Sequence, residues 1–460
     1  MKWITAFLIW GSLFLLSCRD NDISFENLGH TLRFSKDTLT LDTVFSQTRS
    51  ETYAVKVYNN ENKDVVIPEI VLEKGENSMF RINVDGTPGV KFTQVSLRKK
   101  DSLYIFVEIA PNAHQPIEMA EDKIMFSNGQ HITLRAAVQD AEYIISTKEH
   151  PKVISENTVW NNDKVKIIYG SLTLAEGKTL TIMPGTKVYF YKNSGLTVAK
   201  NAFLDIRGEL KKEVLLRGDR TNSQYDTIPA NWEGVKFQEG AVAKIDYAKI
   251  FGGNTALSLE KSRVSIKNTI LYNFQNYGIY AQNSNVDAEN LVMNSFGNTA
   301  VKIENGGTYN FIHSTIANYW YHDFAGGNLC LDVSNAYTMD KGKTSSPLSL
   351  SLLNSIIFNN KNNSIVFNID QAQPFDYLIQ NSLANYSNES GFVWDNNARV
   401  INSIGNKDPE FENTHNKKLS LRLKKDSPAK AKGDAAVAQH VPKDIAGVSR
   451  LVNPNMGAYQ

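Results

Sequence analysis

The chain has 460 residues, and 49 lysines and arginines nearly balance 48 aspartates and glutamates, so the net charge is +1 at neutral pH. These charges are scattered along the chain, which excludes the clustered basic surface typical of nucleic-acid binding. There are only two cysteines, so burial and backbone pairing rather than a disulfide network must stabilise the fold.

The N-terminal segment is predicted to be an export signal. Lys2 precedes an apolar run from Ile4 to Leu16, which at about 1.5 Å per residue is too short to cross a bilayer core of about 30 Å. The run ends in Leu-Leu-Ser-Cys, which resembles the lipobox of bacterial lipoproteins. The resemblance implies cleavage after residue 17 and a lipid on Cys18 that binds the membrane. A plain signal peptide with an incidental cysteine is the alternative.

Residues 18–24 are short and polar, and they are predicted to tether the lipid to the first domain. Acidic residues directly after the cysteine resemble export signals of lipoproteins on the outer face of the outer membrane. We therefore expect a lipid-anchored protein of the outer membrane of a Gram-negative bacterium, exposed at the cell surface. The periplasmic face is the alternative.

Residues 25–147 alternate apolar and polar side chains in short runs, separated by turn sequences such as Asp85-Gly86. This pattern predicts an antiparallel β-sandwich. It resembles the immunoglobulin-like domains that follow a lipobox in bacterial surface proteins, although the Cys…Trp…Cys pattern is absent. A spacer or binding role is expected. The runs are Thr38–Leu41, Tyr53–Tyr58, Val65–Ile67, Phe80–Val84 and Tyr104–Ile109.

From about residue 150 the sequence repeats itself. The tetrapeptide Gly-Asn-Thr-Ala begins at Gly253 and again at Gly297, and the apolar residues Leu257, Ile279 and Val301 recur every 22 residues. A 22-residue unit with three short β-favouring runs is about one coil of a parallel β-helix. Similar tripeptides open at one position of successive units and predict a stack of asparagines at a turn. They start at Asn268, Asn290, Ser314, Asn354, Asn381 and Asn402.

Several segments resemble the right-handed parallel β-helix repeat proteins of the pectate-lyase-like superfamily. Leu180–Phe190, Gly195–Val198 and Asn231–Phe237 resemble their first coils, and Asp408–Phe411 with Asn455–Tyr459 resembles their closing segment. The resemblance implies an all-β chain: the sandwich, a right-handed parallel β-helix over 150–430 and a C-terminal cap over 431–460. It leaves the activity open, since one scaffold carries many functions.

Two groups of residues are candidate sites. Lys267, Glu289 and His313 align one step before the asparagine positions and are predicted to point outward, about 4.8 Å apart per coil. They could supply a base and neutralise charge for proton abstraction beside a uronate carboxylate. The alternative is an exposed ladder of charges on a solvated sheet.

The second group lies in an insertion. After Val301 the next matching apolar position is about Leu329, which implies roughly six extra residues within Tyr319–Gly327. The composition of this loop is typical of a sugar-stacking site, although its rings could instead fold back over the coil. The candidate residues are Tyr319, Trp320, Tyr321, His322, Asp323 and Phe324. The following Cys330 is expected to be a buried, inert thiol.

No phosphate-binding loop, His-Glu-x-x-His, nucleophile elbow or metal-spaced cluster is found, so no cofactor or metal is expected. The favoured function is non-catalytic binding or display at the cell surface, with an extracellular glycan as the partner, or adhesion. A polysaccharide lyase or glycoside hydrolase is the first alternative; converging carboxylates in a walled cleft would favour it. A subunit of an outer-membrane assembly is the second, and it predicts an exposed apolar patch.

Overall fold

The computed structural model describes residues 24–111, 117–322, 328–339, 342–388 and 392–460. Within these ranges the chain is almost entirely β-strand and separates into two compact units, which divide after Val138. The predicted site residues Cys18, Asp323 and Phe324 lie outside the described residues. In the described part of the chain, no helix has the length and apolar character that a membrane crossing requires.

The N-terminal unit is a sandwich of two sheets around one apolar core. Its strands alternate buried and exposed residues, as expected for sheets with one solvated face. Most pairs are antiparallel, but Phe25–Asn27 and Thr38–Thr40 each pair in parallel with a longer strand. The seven-stranded sheet has Phe25–Asn27, Thr38–Thr40, Val44–Phe45, Asp64–Leu72, Lys91–Leu97, Ile117–Phe126 and His131–Gln139. The five-stranded sheet has Arg33–Phe34, Tyr53–Tyr58, Phe80–Val84, Thr87–Gly89 and Ser102–Ile109.

The second unit is a parallel β-helix whose coils each contribute three short strands. The predicted fold class, a sandwich followed by a parallel β-helix, is confirmed. We call the three stacks of strands the first, second and third faces, in the order in which the chain visits them. The first face consists of Ala141–Ile145, Val165–Tyr169, Lys187–Phe190, Val214–Gly218, Ala248–Phe251, Ile270–Phe274, Val292–Phe296, Thr315–Asn318, Ile356–Asn359, Leu383–Ala384 and Ile404–Gly405.

The second and third faces are joined where two long strands, Tyr277–Glu289 and Thr299–Ile312, run through both. These strands bend at Asn283 and Asn305, whose positive φ angles turn the chain. The rest of the second face is Val153–Ile154, Ser171–Leu174, Gly195–Val198, Gly234–Phe237, Thr255–Glu260, Leu329–Ser334 and Ile365–Asn368. The rest of the third face is Thr158–Trp160, Thr179–Ile182, Phe203–Arg207, Val242–Asp246, Arg263–Lys267, Leu348–Leu353, Phe375–Gln380 and Val400–Ile401.

The β-helix begins earlier than the predicted residue 150. Ala141–Ile145 pairs in parallel with Val165–Tyr169 as the first strand of the first face, although the prediction placed it inside the sandwich. Its alternating sequence suits either fold, and only the partner strand decides between them. The last coil strand is Ile404–Gly405, so the predicted end at 430 is too late. The hairpin of Phe411–Asn413 with Ser420–Leu423 that follows is antiparallel.

The 22-residue repeat is confirmed by the strand register. Leu257, Ile279 and Val301 lie directly over one another and are fully buried. Every turn from the third to the first face places one residue in the left-handed region, which asparagine tolerates better than most residues. These residues are Tyr247, Asn268, Asn290, His313, Asn354, Asn381 and Asn402.

The predicted stack of asparagines forms in part. Asn290 Nδ2 donates to Asn268 Oδ1 over 2.8 Å, and Asn268 Nδ2 donates to Asp246 over 2.9 Å. His313 rather than Ser314 occupies this position in the next coil, and Asn354 Nδ2 lies 3.0 Å from its Nε2. The prediction was one residue out of phase there because the second-to-third-face corner of that coil contains an extra residue, after Glu304.

The predicted C-terminal cap over 431–460 is wrong as to place, because this segment runs along the side of the β-helix. Asn290, Asn354 and Asn381 donate to backbone carbonyls of Lys443, Asp434 and Lys432 respectively. A cap would meet only the last coil, whereas these contacts span several. The segment includes the short helix Ala435–His440, capped by Asp434, and covers a second apolar core on the first face.

Phe392 and Trp394 fill the interior at the last coils instead. Phe392 is 1% exposed and packs edge-on against Phe367, and Trp394 stacks on Tyr386 with ring centroids 5.0 Å apart. Both follow from the loop that the sequence marks only as a break in the repeat.

Candidate functional site

The predicted trio Lys267, Glu289 and His313 does not converge. Lys267 and Glu289 are register partners on the third face, with Nζ and Oε2 2.9 Å apart. Glu289 faces Ile312 in the next coil, and His313 is fully buried at the following corner. The alternative of an exposed charge pair describes Lys267 and Glu289, and the role given to His313 is wrong because the inserted residue shifts it from the face into the turn.

The predicted stacking loop is largely buried where the structure describes it. Tyr319 packs edge-on against Phe411, and Trp320 is only 6% exposed. These two rings pack within the protein and present no free face to a sugar. Tyr321, 44% exposed, lies beside the ring of His415, and the ring of His322 lies 4.7 Å from that of Trp320. Trp232 is fully buried against Phe190, which confirms the packing role predicted for it.

A different set of polar side chains meets on the second face. One outward position of five successive coils carries a polar or charged residue, and strand register places each directly over the one before. Because inward and outward residues alternate along each strand, these side chains all lie on the outer surface. They are Lys236, Ser258, Tyr280, Lys302 and Asp332, which we call the polar row.

A second polar row runs beside the first, two residues further along each strand. Within it, Glu260, Gln282 and Glu304 are register partners. The Tyr280 hydroxyl donates to Glu304 Oε2 over 2.7 Å, and Gln282 Nε2 donates to the Tyr280 oxygen over 2.7 Å. The two rows are therefore tied together into one hydrogen-bonded surface.

Two carboxylates meet at one lysine in this surface. Lys302 Nζ donates to Asp332 Oδ2 over 2.5 Å and lies 3.6 Å from Glu304 Oε1. The Lys302, Glu304 and Asp332 side chains are only 17 to 18% exposed, so their charges interact more strongly than those of a fully solvated pair. Asn368 Nδ2 also donates to Asp332, over 3.0 Å. We call Tyr280, Lys302, Glu304 and Asp332 the carboxylate cluster.

Tyr280 is held in its protonated form. Burial raises the pKa of its hydroxyl well above the ordinary value, and the hydrogen bond to Glu304 and the charge of that carboxylate raise the pKa further. The hydroxyl can therefore donate a hydrogen bond or a proton over the whole physiological pH range. Among the described residues, no group of three or more His, Cys, Asp or Glu side chains is placed to hold a metal ion.

The polar row continues into a shallow cavity of about 390 Å³ at its N-terminal end. The cavity exists because Gly195 and Gly234 carry no side chain at an outward position. A Cβ on Gly234 would lie 1.6 Å from the Thr255 carbonyl oxygen, and its φ of +108° also favours glycine. Polar side chains line the cavity: Ser171, Thr197, Glu233, Lys236, Asn254, Thr255, Ser258 and Asn276.

A β-hairpin stands at the corner beside the carboxylate cluster. It pairs Ala336–Met339 with Gly342–Ser345, and an ion pair of 2.7 Å between Lys343 and Asp370 fixes it to the next coil. The hairpin lies near the second face, because Tyr337 contributes to the raised pKa of Tyr280. The second face is thus a groove with a polar floor and one wall at this end.

Sequence reasoning could have found part of this site. Tyr280 and Lys302 are 22 residues apart, as are Gln282 and Glu304, so the repeat alone places them over one another. Asp332 follows Lys302 by 30 residues because of the insertion. The predicted match of Val301 with Leu329 was two residues short, since Val301 lies under Leu331.

No family model and no curated protein matches the chain. Two solved structures show a distant likeness. A family 28 exopolygalacturonase from Yersinia enterocolitica aligns over 72% of this chain and 83% of its own, with 6% identity and a TM-score of 0.25. A family 123 glycoside hydrolase from Clostridium perfringens aligns over 28% of this chain and 30% of its own, with 9% identity and a TM-score of 0.19. The chain thus spans less than a third of that second protein, and both scores are too low to bear on activity.

Proposed function

We propose that the groove on the second face binds an extended polysaccharide. The observation that carries this proposal is the polar row, in which Lys236, Ser258, Tyr280, Lys302 and Asp332 repeat at one outward position of five coils. The row extends over roughly 19 Å at the ordinary strand spacing. A linear chain of sugars also presents hydroxyl groups at regular intervals along one direction.

The chemistry of the floor suits sugar hydroxyls. Carboxylate and amide groups form hydrogen bonds with hydroxyl donors, and Lys302 donates to hydroxyl oxygens. Tyr277 and Tyr280 add ring surface, with parallel rings 5.3 Å apart, on which the C–H faces of a sugar can pack. The half-buried positions of these groups hold them in place before a ligand arrives, which lowers the entropic cost of binding.

Binding is tested with the fragment 19–460 on a glycan array. Ser258→Trp fills the middle of the groove without touching the core and should abolish binding, and Tyr280→Phe should weaken it by about tenfold by removing one hydroxyl. Lys267→Ala, on the third face, is the matched control and should bind as the wild type does. Equal binding by Ser258→Trp and the wild type would refute the proposal.

A second function, cleavage of the bound chain, is favoured by the carboxylate cluster. Because Glu304 and Asp332 both contact Lys302, their nearest oxygens are at most about 6 Å apart. Paired carboxylates at roughly 5 to 9 Å supply the acid and the base or nucleophile of most glycoside hydrolases. In this reaction one carboxyl group would protonate the leaving oxygen, and the other would attack or activate water.

Turnover distinguishes cleavage from binding alone. If the protein is a hydrolase, a bound glycan yields new reducing ends, and Glu304→Gln lowers the rate by more than a hundredfold while the glycan still binds. A lyase would instead produce unsaturated ends that absorb in the ultraviolet. Binding with no product after prolonged incubation would leave display of a glycan as the function.

The proposal places the protein at the cell surface through a lipid on Cys18. Metabolic labelling with an alkyne fatty acid should tag the wild-type protein and not Cys18→Ala. Protease added to intact cells should then digest the tagged protein if it faces outward. Labelling of Cys18→Ala at the wild-type level would contradict the anchor.

A further inference from the structure

The outer face of the five-stranded sheet in the N-terminal unit exposes two large aromatic rings. Ser102–Ile109 is the central strand of this sheet, and its alternation points Leu103 and Ile105 into the core. Tyr104 and Phe106 therefore point outward, and they are 40% and 39% exposed. Their rings are nearly parallel, at 10°, with centroids 5.7 Å apart. Neighbouring exposed rings on a rigid central strand are costly to leave in water and mark a contact surface.

Cations flank these rings on one side. Lys56 is the register partner of Tyr104, and its Nζ lies 4.7 Å from the centroid of that ring. The next outward residue on the same strand, Tyr58, has the guanidinium of Arg33 5.9 Å from its ring centroid. These cations are solvent-accessible, so they can pair with an anion that arrives from outside.

A cavity of about 430 Å³ lies on the other side of the Phe106 ring. The register partners of Phe106 are Ala54 and Asn83, whose short side chains leave its ring uncovered. The charges that line the cavity are Arg49, Arg81 and Glu108. Glu108 faces Arg81 across the sheet and accepts from the Thr52 hydroxyl, so Arg49 adds net positive charge. The cavity is lined by Arg49, Arg81, Ile82, Asn83, Pro88, Phe106, Glu108 and Ala110.

We propose that this face is a second carbohydrate site and that its ligand is a polysaccharide with a carboxylate on its sugar units. Rings in this position pack against the C–H faces of sugars. Arg49, Lys56 and Arg33 pair with the carboxylates, and the planar guanidinium groups can do so through two hydrogen bonds. Three cations around two rings therefore favour a polyuronate over a neutral glycan. This site is separate from the groove of the β-helix and does not depend on the function proposed for it.

The test measures binding of the fragment 19–460 to polygalacturonate and alginate by isothermal titration calorimetry, with dextran as the neutral comparison. The groove is blocked throughout by Ser258→Trp. Phe106→Ala should lower the affinity for the polyuronates about tenfold, and Arg49→Gln should lower it by a similar factor. Met119→Ala removes an equally exposed side chain from the other sheet and should have no effect. Raising the salt concentration should weaken binding.

The arms separate this site from the groove. Polyuronate binding that survives Ser258→Trp and is lost in Arg49→Gln supports the sandwich site, whatever the groove binds. Binding lost in Ser258→Trp alone places the ligand in the groove and overturns this proposal. Equal affinity for dextran, tighter binding of chondroitin sulfate than of either polyuronate, or no polyuronate binding overturns it as well. Arg49→Gln changes an exposed side chain, so it keeps the test decisive even if Phe106→Ala fails to fold.

Discussion

His313 occupies the turn at which most coils of the β-helix have asparagine. It shares their left-handed backbone, with φ of +47°, and its ring is fully buried beneath the C-terminal segment. Burial, together with the charge of Arg450, lowers the pKa of His313 to about 3. The imidazole is therefore neutral in the folded protein at every pH at which the unfolded chain would begin to bind a proton.

Replacing His313 by asparagine should remove a source of acid sensitivity. Since the pKa is about 3 when folded and about 6.5 when unfolded, the unfolded state binds more protons between these values. Stability is then complete above about pH 6.5 and falls as the pH is lowered toward 3, by about 2 kcal/mol between pH 7 and pH 5. Urea unfolding at both pH values should show a smaller loss in His313→Asn. An equal loss in both proteins would contradict the assignment.

Cys330 should be unreactive in the native protein. Its side chain is fully buried on the second face, and burial raises the pKa of the thiol well above its ordinary value. Thiolate is the reactive form, so both access and ionisation are suppressed. In the fragment 19–460, Ellman's reagent should detect no thiol before denaturation and one thiol in guanidinium chloride. Rapid reaction of the folded fragment would show that this face opens readily.

At the scale of elements, the C-terminal segment is held to the turns by a buried arginine. Arg450 Nη1 donates to Asn290 Oδ1 over 2.7 Å and to the Lys443 carbonyl over 2.6 Å. Nη2 donates to the Gly457 carbonyl over 3.2 Å. One side chain thus joins two strands of the segment to a coil more than 150 residues earlier in sequence.

Arg450→Ala should loosen this segment. The substitution leaves three buried acceptors without their donor, and we expect a loss of about 3 kcal/mol in the free energy of unfolding. Limited trypsin digestion should then cut within 430–460 faster than in the wild type. Lys425→Ala, an exposed change outside the interface, serves as the control. Equal digestion of Arg450→Ala and this control would show that apolar packing alone holds the segment.

At the scale of the whole chain, the β-helix needs its last coils closed, because unpaired strands and an open core invite association. Phe392 provides much of this closure, with its ring 5.0 Å from that of Phe367 and edge-on to Trp394. The adjacent Val393 is 55% exposed and contributes little to the interior.

Phe392→Ala should therefore destabilise the second unit by about 3 to 5 kcal/mol and promote association through the exposed end. Val393→Ala is the matched control in the same loop. Thermal unfolding and sedimentation velocity over a range of concentrations measure the two effects. A monomeric Phe392→Ala variant of unchanged stability would show that other side chains close the end.

The sequence by itself determined the repeating architecture, because a coil is a local object. Leu257, Ile279 and Val301 recur at the length of one coil, and asparagine marks a turn that needs a left-handed residue. The relation between Tyr280 and Lys302 follows from the same repeat. Where the period holds, sequence separation converts directly into position, so fold class and much of the groove floor were predictable.

Only the tertiary structure decided the features that depend on breaks in the period or on distant segments. One extra residue moved His313 from a face into a turn, and the longer insertion hid the pairing of Lys302 with Asp332. The contact of Asn290 with Lys443 joins residues that no repeat relates. Insertions change the phase of every later residue, and long-range packing selects partners by shape and hydrogen bonding, which no local pattern encodes.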